Sequence, residues 1–244
     1  MDDLDRYHTV DILNELKRRY ACLSKPEGNY IFIGPPGAGK STQANFLRKS
    51  HCYCHISPEN IYSNIKNLKR SSDFKSKGLL DHGSQSHEQL IDNLEQLIQM
   101  PQCRRGFIID GLVNSENYLS RVVRILSKMG IKLNGVINFE MDDQTAEKRL
   151  INRLVHERSG RIYNKITMPP NDSGKDDITG EQLTQSANDR PSFIKERLKA
   201  FRGEYSGIIK GYSDIGILKT VDATKSPSQV EKSINSIIEE TGRK

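Results

Sequence analysis

Gly34-Pro35-Pro36-Gly37-Ala38-Gly39-Lys40-Ser41, followed by Thr42, is the stretch whose reading decides the fold. It matches the pattern G-x-x-x-x-G-K-[ST]. Glycines at these places let consecutive backbone N–H groups turn inward and cradle phosphate oxygens. A helix opening at the lysine would present its positive N-terminus to the same anion. The flanks suit that reading. Tyr30-Ile31-Phe32-Ile33 is a short apolar run of buried-strand type, and Gln43 to Lys49 reads as helix. The loop is therefore expected to hold the phosphates of ATP through Gly37, Ala38, Gly39, Lys40, Ser41 and Thr42. Lys40 supplies charge to the outer phosphates, and a hydroxyl of Ser41 or Thr42 sits near magnesium.

Outward from the loop, four more strand candidates follow: Tyr53 to Ser57, Gly106 to Asp110, Gly135 to Phe139 and Ile215 to Val221. Helical patterns lie between them, around residues 115–130 and 191–211, and a last one runs from Ser228 to about Glu240. Short apolar strands alternating with helices predict an α/β chain with a parallel sheet. The fold class expected is the P-loop NTPase fold, a parallel five-stranded sheet flanked by helices. Two stretches leave that rhythm, the polar segment 58–100 and the segment 154–190, rich in Gly, Pro, Asp, Asn and Thr. The core is then assigned to 29–57, 101–153 and 191–244. Residues 1–28 read as a helical extension. Val10, Ile12, Leu13, Leu16 and Tyr20 recur at helical spacing and are expected to pack it on the core.

Composition bounds the function. The 244 residues suffice for one sizeable core. The formal net charge of +6 comes from basic residues spread along the chain, which favours a small anionic ligand over a nucleic acid. No apolar run is long enough for a bilayer. Met1-Asp2-Asp3 does not open like a secretory signal, and without Gly at position 2 it is not a myristoylation site. A cytoplasmic monomer with no membrane and no nucleic-acid partner is expected. The four cysteines, Cys22, Cys52, Cys54 and Cys103, show no second pair at zinc spacing and read as free thiols in a reducing compartment.

Further segments repeat a known arrangement in order. Gly106-Phe107-Ile108-Ile109-Asp110-Gly111 is similar to the third-strand motif GF(I/L)LDG(F/Y)PR. Arg149-Leu150-Ile151-Asn152-Arg153-Leu154-Val155-His156, then Ser159-Gly160-Arg161-Ile162-Tyr163, is similar to the entry of a mobile lid. Pro169-Pro170 and Gly174-Lys175-Asp176-Asp177-Ile178-Thr179-Gly180-Glu181 resemble the rest of it, and Arg197-Leu198 matches the arginine on the following helix. Together with the loop and Thr42-Gln43, these segments resemble the adenylate kinases over nearly all of residues 29–240.

The resemblance implies transfer of the γ-phosphoryl of ATP to AMP or another nucleoside monophosphate, with Mg2+ and without a covalent intermediate. It makes 58–100 the acceptor-side insertion and 154–190 the lid. The implied catalytic set is Lys40, Asp110, Arg153 and Arg197. Lys40 binds donor phosphates, Asp110 orients magnesium-bound water, and Arg153 and Arg197 contact the transferring phosphoryl. Arg149 stacks on the donor adenine. His156, Ser159, Asp176 and Thr179 stand where some lids carry four zinc-binding cysteines, which implies a hydrogen-bonded network in their place.

The departures gather on the acceptor side. Where the family reads STGDLLR, this chain reads Ser57-Pro58-Glu59-Asn60-Ile61-Tyr62-Ser63. Val113 and Asn114 replace the proline and arginine of DG(F/Y)PR. Tyr118 replaces the glutamine that reads the acceptor base. Gly83-Ser84-Gln85-Ser86 replaces a glycine-lysine-hydrophobic stretch, and Ser186 replaces a third phosphate-clamping arginine. Lys66, Arg70 and Arg121 are the candidates to compensate. The expected outcome is a kinase with weak or altered acceptor use, because the donor residues and the lid are kept; the alternative is a non-catalytic ATP-binding module that signals to a partner.

Overall fold

The computed structural model describes residues 8–58 and 91–242. In chain order these hold α1 (Thr9–Cys22), β1 (Gly28–Ile33), α2 (Lys40–Ser50), β2 (Cys54–Ile56), α3 (Leu94–Ile98), β3 (Gly106–Asp110), α4 (Glu116–Lys128), β4 (Gly135–Glu140), α5 (Asp143–Ile151), β5 (Arg153–His156), β6 (Arg161–Asn164), α6 (Pro191–Asp214), β7 (Leu218–Asp222) and α7 (Pro227–Thr241). Five strands form one parallel sheet in the order β2-β3-β1-β4-β7, and β5 pairs antiparallel with β6 in a separate hairpin.

β1 is central, and every residue of it is buried. A parallel strand covered on both faces must be apolar throughout, which is why Tyr30-Ile31-Phe32-Ile33 shows no alternation. Its side chains nevertheless divide. Ile31 and Ile33 join Phe107, Ile109, Val122, Leu126, Ile208 and Tyr212 on one face. Tyr30 and Phe32 join Leu47, Ile108, Ile137, Phe139, Ile234 and Ile238 on the other. β3 and β1 come so close at their first residues that a Cβ on Gly106 (φ 122°) would lie 2.0 Å from the Gly28 carbonyl oxygen. Only glycine fits there.

Helix starts follow local chemistry. The Ser115 hydroxyl accepts from the Tyr118 N–H, Asp142 accepts from the Thr145 N–H, and Ser226 with Gln229 forms a capping box. One boundary differs from expectation. The last strand begins at Leu218 instead of Ile215, because α6 runs on to Asp214 and Gly216 closes it in a left-handed turn.

Two expectations are corrected at the N-terminus. The apolar stripe of α1 does not pack on the core: Val10 is 63% and Tyr20 77% exposed, and Leu13 and Leu16 are exposed as well. The inward side carries half-buried Ile12, Glu15 and Arg18 and buried Cys22. The reason is a polar match. The Arg18 guanidinium donates to the carbonyls of Arg48 and Lys49, at 3.1 and 3.0 Å, and so satisfies orphan acceptors at the end of α2. Nor are the cysteines free. Cys22 is bonded to Cys52 and Cys54 to Cys103, with Cα atoms 5.8 and 4.6 Å apart. Partners 30 and 49 residues apart meet only through the fold. The pairing removes the composition-based ground for a reducing compartment.

His51, buried just after α2, carries a prediction. Burial, and then the charges of Lys25 and Arg105, lower its pKa to about 4. Its unfolded value is about 6.5. The folded state therefore binds fewer protons, so stability is full above about 6.5 and falls as the pH drops towards 4. The slope is at most about 1.4 kcal/mol per pH unit. Urea denaturation between these pH values should show the loss, and His51→Gln should flatten it. Equal slopes in both proteins would remove His51 as the cause.

Candidate active site

The phosphate loop joins β1 to α2. Gly37 and Gly39 take φ values of 85° and 87°, conformations that an L side chain rarely adopts. Lys40 opens α2, and its Nζ donates to the carbonyls of Gly34 and Pro35 at 2.8 and 2.9 Å, so the ammonium is braced over its own loop. Ser41 Oγ donates to Asp110 Oδ2 at 2.6 Å.

Asp110 ends β3 and is 2% exposed. Burial pushes its carboxyl up. The hydrogen bond to His55, the charge of Lys40 and the bond from Ser41 outweigh burial, and the net shift is downward. A carboxylate is thus kept at the mouth of the loop. His55 Nε2 lies 3.1 Å from Asp110 Oδ2. Sequence reasoning missed this histidine. Its signal is the parallel register of β2 on β3, which sets His55 opposite Ile108, two residues before Asp110.

Arg149, near the end of α5, donates to the carbonyls of Ala223 and Thr224 at 2.7 and 3.1 Å, in the loop after β7. Arg153, the first residue of β5, makes a bidentate pair with Asp189 at 2.7 and 2.6 Å. Arg197, from α6, comes within 3.8 Å of the same carboxylate. Asp189 is 1% exposed and is the second residue that sequence reasoning missed. It orients Arg153 and lies close to Arg197, whose Nη1 donates to the Asn188 carbonyl at 3.4 Å. A planar guanidinium held at two of its nitrogens, as Arg153 is, keeps its direction.

All ten site residues read from the sequence line one cleft of about 1040 Å³: Gly37, Ala38, Gly39, Lys40, Ser41, Thr42, Asp110, Arg149, Arg153 and Arg197. Pro58, Val113 and Asn114 line the same cleft where the acceptor side was expected. Tyr118 packs against the apolar core instead. Arg121 is ion-paired with Asp92, so this candidate for compensation is already engaged. Ser63, Lys66, Arg70 and Gly83-Ser84-Gln85-Ser86 lie outside the described residues.

The β5–β6 hairpin carries a polar network. His156 Nδ1 is 2.7 Å from Ser159 Oγ, and Thr179 Oγ1 donates to Asp176 Oδ2 at 2.9 Å. The network is larger than the four residues expected. Arg161 makes a bidentate pair with Asp176 at 2.7 and 2.6 Å, Tyr163 donates to Asp176 at 2.9 Å, and Glu181 bridges His156 and Arg158. Arg161 first, then the Thr179 and Tyr163 bonds, hold the Asp176 carboxyl well below the usual carboxylate range.

Comparisons with known proteins point to one family. The family profile described as adenylate kinase matches residues 32–217. Adenylate kinase 4 of Arabidopsis thaliana is 33% identical over 97% of this chain and 96% of its own length. Adenylate kinase 4 of Oryza sativa subsp. japonica is 32% identical over 97% and 98%. An adenylate kinase of Aspergillus niger is 32% identical over 91% and 89%.

The chain belongs to the adenylate kinase family.

As an adenylate kinase family member it is an ATP-dependent nucleoside monophosphate kinase, a nucleotide-binding transferase. The P-loop NTPase architecture of the family accounts for the five-stranded sheet and for the cleft at the C-terminal ends of its strands. Among the described residues no helix is long and apolar enough to cross a membrane.

Proposed function

We propose that the cleft transfers the γ-phosphoryl of ATP to a nucleoside monophosphate, and that AMP is used with a raised KM because the acceptor side lacks the family's arginines. The observation that carries this reading is the asymmetry of one cleft. Its donor side holds Lys40, Arg149, Arg153 and Arg197, while its acceptor side presents Pro58, Val113 and Asn114. Lys40 would hold the outer phosphates of ATP, and Arg149 would stack on the adenine. Arg153, aimed by Asp189, and Arg197 beside it would meet the charge on the transferring group. The segment 58–100 would take the acceptor, and 154–190 would close over the donor.

Magnesium fits this donor set. A hydroxyl bonded to a buried carboxylate at 2.6 Å, Ser41 on Asp110, is oxygen chemistry suited to a hard cation that keeps its water. Ser41 or Thr42 would hold the ion, with Asp110 acting through water and His55 steadying Asp110. The ion supplies neutralisation of charge on the phosphate oxygens.

A coupled assay of ADP formation over several monophosphates tests the reading. The expected result is turnover with AMP that saturates only at high concentration. The same rate in a Lys40→Ala control, with every acceptor tried, would sink it. A second reading, an ATP-binding module that signals to a partner, is favoured by Asn114 in the cleft and by Arg121 held on Asp92. It requires ATP affinity indifferent to AMP. Positive linkage between the two nucleotides counts against it.

A further inference from the structure

We propose that Cys22–Cys52 is a thiol–disulfide exchange site, open to a small dithiol, whose state decides whether α1 stays on the phosphate-binding helix. The apolar stripe of α1 faces outward, with Leu16 57% exposed, so apolar burial contributes little to holding it. What faces inward is Arg18 on the carbonyls of Arg48 and Lys49, and Cys22 on Cys52. Those carbonyls end α2, the helix that begins at Lys40. The disulfide therefore ties the extension to the element that carries the phosphate loop.

The surroundings favour exchange. Cys22 is buried and Cys52 is half-buried, so Cys52 is the more accessible partner for an incoming thiolate. Arg18 Nη1 lies 3.1 Å from Cys52 Sγ and 3.9 Å from Cys22 Sγ. At 3.9 Å the guanidinium offsets part of the charge on the departing Cys22 thiolate, and at 3.1 Å it stabilises the Cys52 thiolate released in the second step. Cys52 also has φ 58°, alone among the described non-glycine residues in the left-handed region, and an open dithiol frees that residue to relax.

The chemistry balances. A thiolate of the dithiol attacks Cys52 Sγ, the Cys22–Cys52 bond breaks, and Cys22 leaves as a thiolate that takes up a proton. The second thiolate of the reagent closes on the mixed disulfide and releases Cys52, which is protonated in turn. The protein gains two electrons and two protons, and the reagent becomes a cyclic disulfide.

The test uses the full chain with Cys54→Ala and Cys103→Ala, so that one pair remains. It is equilibrated in reduced and oxidised dithiothreitol. Alkylation read by intact mass should add nothing to the oxidised protein and two labels to the reduced one. Tm should fall by about 5–10 °C on reduction, from loop closure over the intervening chain. Amide exchange over residues 9–22 should rise well below Tm, while β1 and β4 stay protected. Adding Cys22→Ser should give the reduced Tm and abolish its redox dependence. Arg18→Gln should keep the disulfide but slow its reduction by roughly tenfold at neutral pH. Two labels on air-oxidised protein, a Tm equal in both states to within about 1 °C, or unchanged exchange over 9–22 would overturn the proposal. None of these readouts needs turnover, so their failure is distinct from failure of the kinase reading.

Discussion

Replacing Lys40 by methionine is expected to lower kcat/KM for ADP formation by on the order of 10²–10³-fold while leaving the fold intact. Its ammonium is held by the Gly34 and Pro35 carbonyls, and it helps to keep Asp110 ionised. Methionine retains most of the stem and removes the charge. Two effects then coincide. The donor phosphates lose a charge-assisted contact worth ~1.5–3 kcal/mol, and the transferring group loses a fixed positive charge in a shielded cleft. Steady-state kinetics, with ATP binding by calorimetry, separates the two. A fall in kcat larger than the loss of ATP affinity places the lysine in the transition state. A variant with wild-type kcat/KM would remove Lys40 from the machinery and with it the donor-side assignment.

Ser63→Arg, Asn114→Arg and Ser186→Arg together are expected to raise kcat/KM for AMP by on the order of 10²–10⁴-fold. The figure follows from two acceptor-phosphate contacts at ~1.5–3 kcal/mol each. Asn114 already lines the cleft. Ser186 precedes Asn188 and Asp189, beside the Arg153 pair, and its Oγ accepts from the Asn188 N–H at 3.3 Å. Ser63 lies outside the described residues, so its share is best read from the double variant with and without it. A fall in KM for AMP with little change in KM for ATP is the expected pattern. A well-folded triple variant with no gain would mean that missing charge is not what limits the acceptor side. The module reading, or another acceptor, would then stand better.

The phosphate loop was legible because its function constrains backbone shape. Gly37 and Gly39 need positive φ, and a lysine must follow, so the requirement is written in contiguous residues. Asp110, Arg149, Arg153 and Arg197 were legible only through the resemblance. Each alone is an ordinary charged residue, and the fold draws them from three separate segments into one cleft. His55 and Asp189 escaped both routes. Each acts on another residue of the site instead of on ligand, and such a role depends on register and burial that a linear pattern does not carry.

The N-terminal helix shows the opposite failure. Its periodicity correctly marked a helix, and its apolar stripe pointed to the wrong face. Periodicity says which residues share a side and not what that side meets. The end of α2 offered unpaired carbonyls, Arg18 answered them and Cys22 bonded to Cys52, so the polar side turned inward. The cysteines make the same point. Spacing along the chain carries no information about partners brought together by a sheet and two helices.

What the sequence determined by itself, then, was the α/β class, the phosphate loop and the family, because these rest on local backbone demands and on motifs kept in order. The tertiary structure alone decided the disulfide pairs, the inverted N-terminal helix, the engagement of Arg121 by Asp92 and the buried carboxylate that aims Arg153. These are contacts between residues far apart in the chain, and their energies depend on distance and burial, which exist only once the chain has folded.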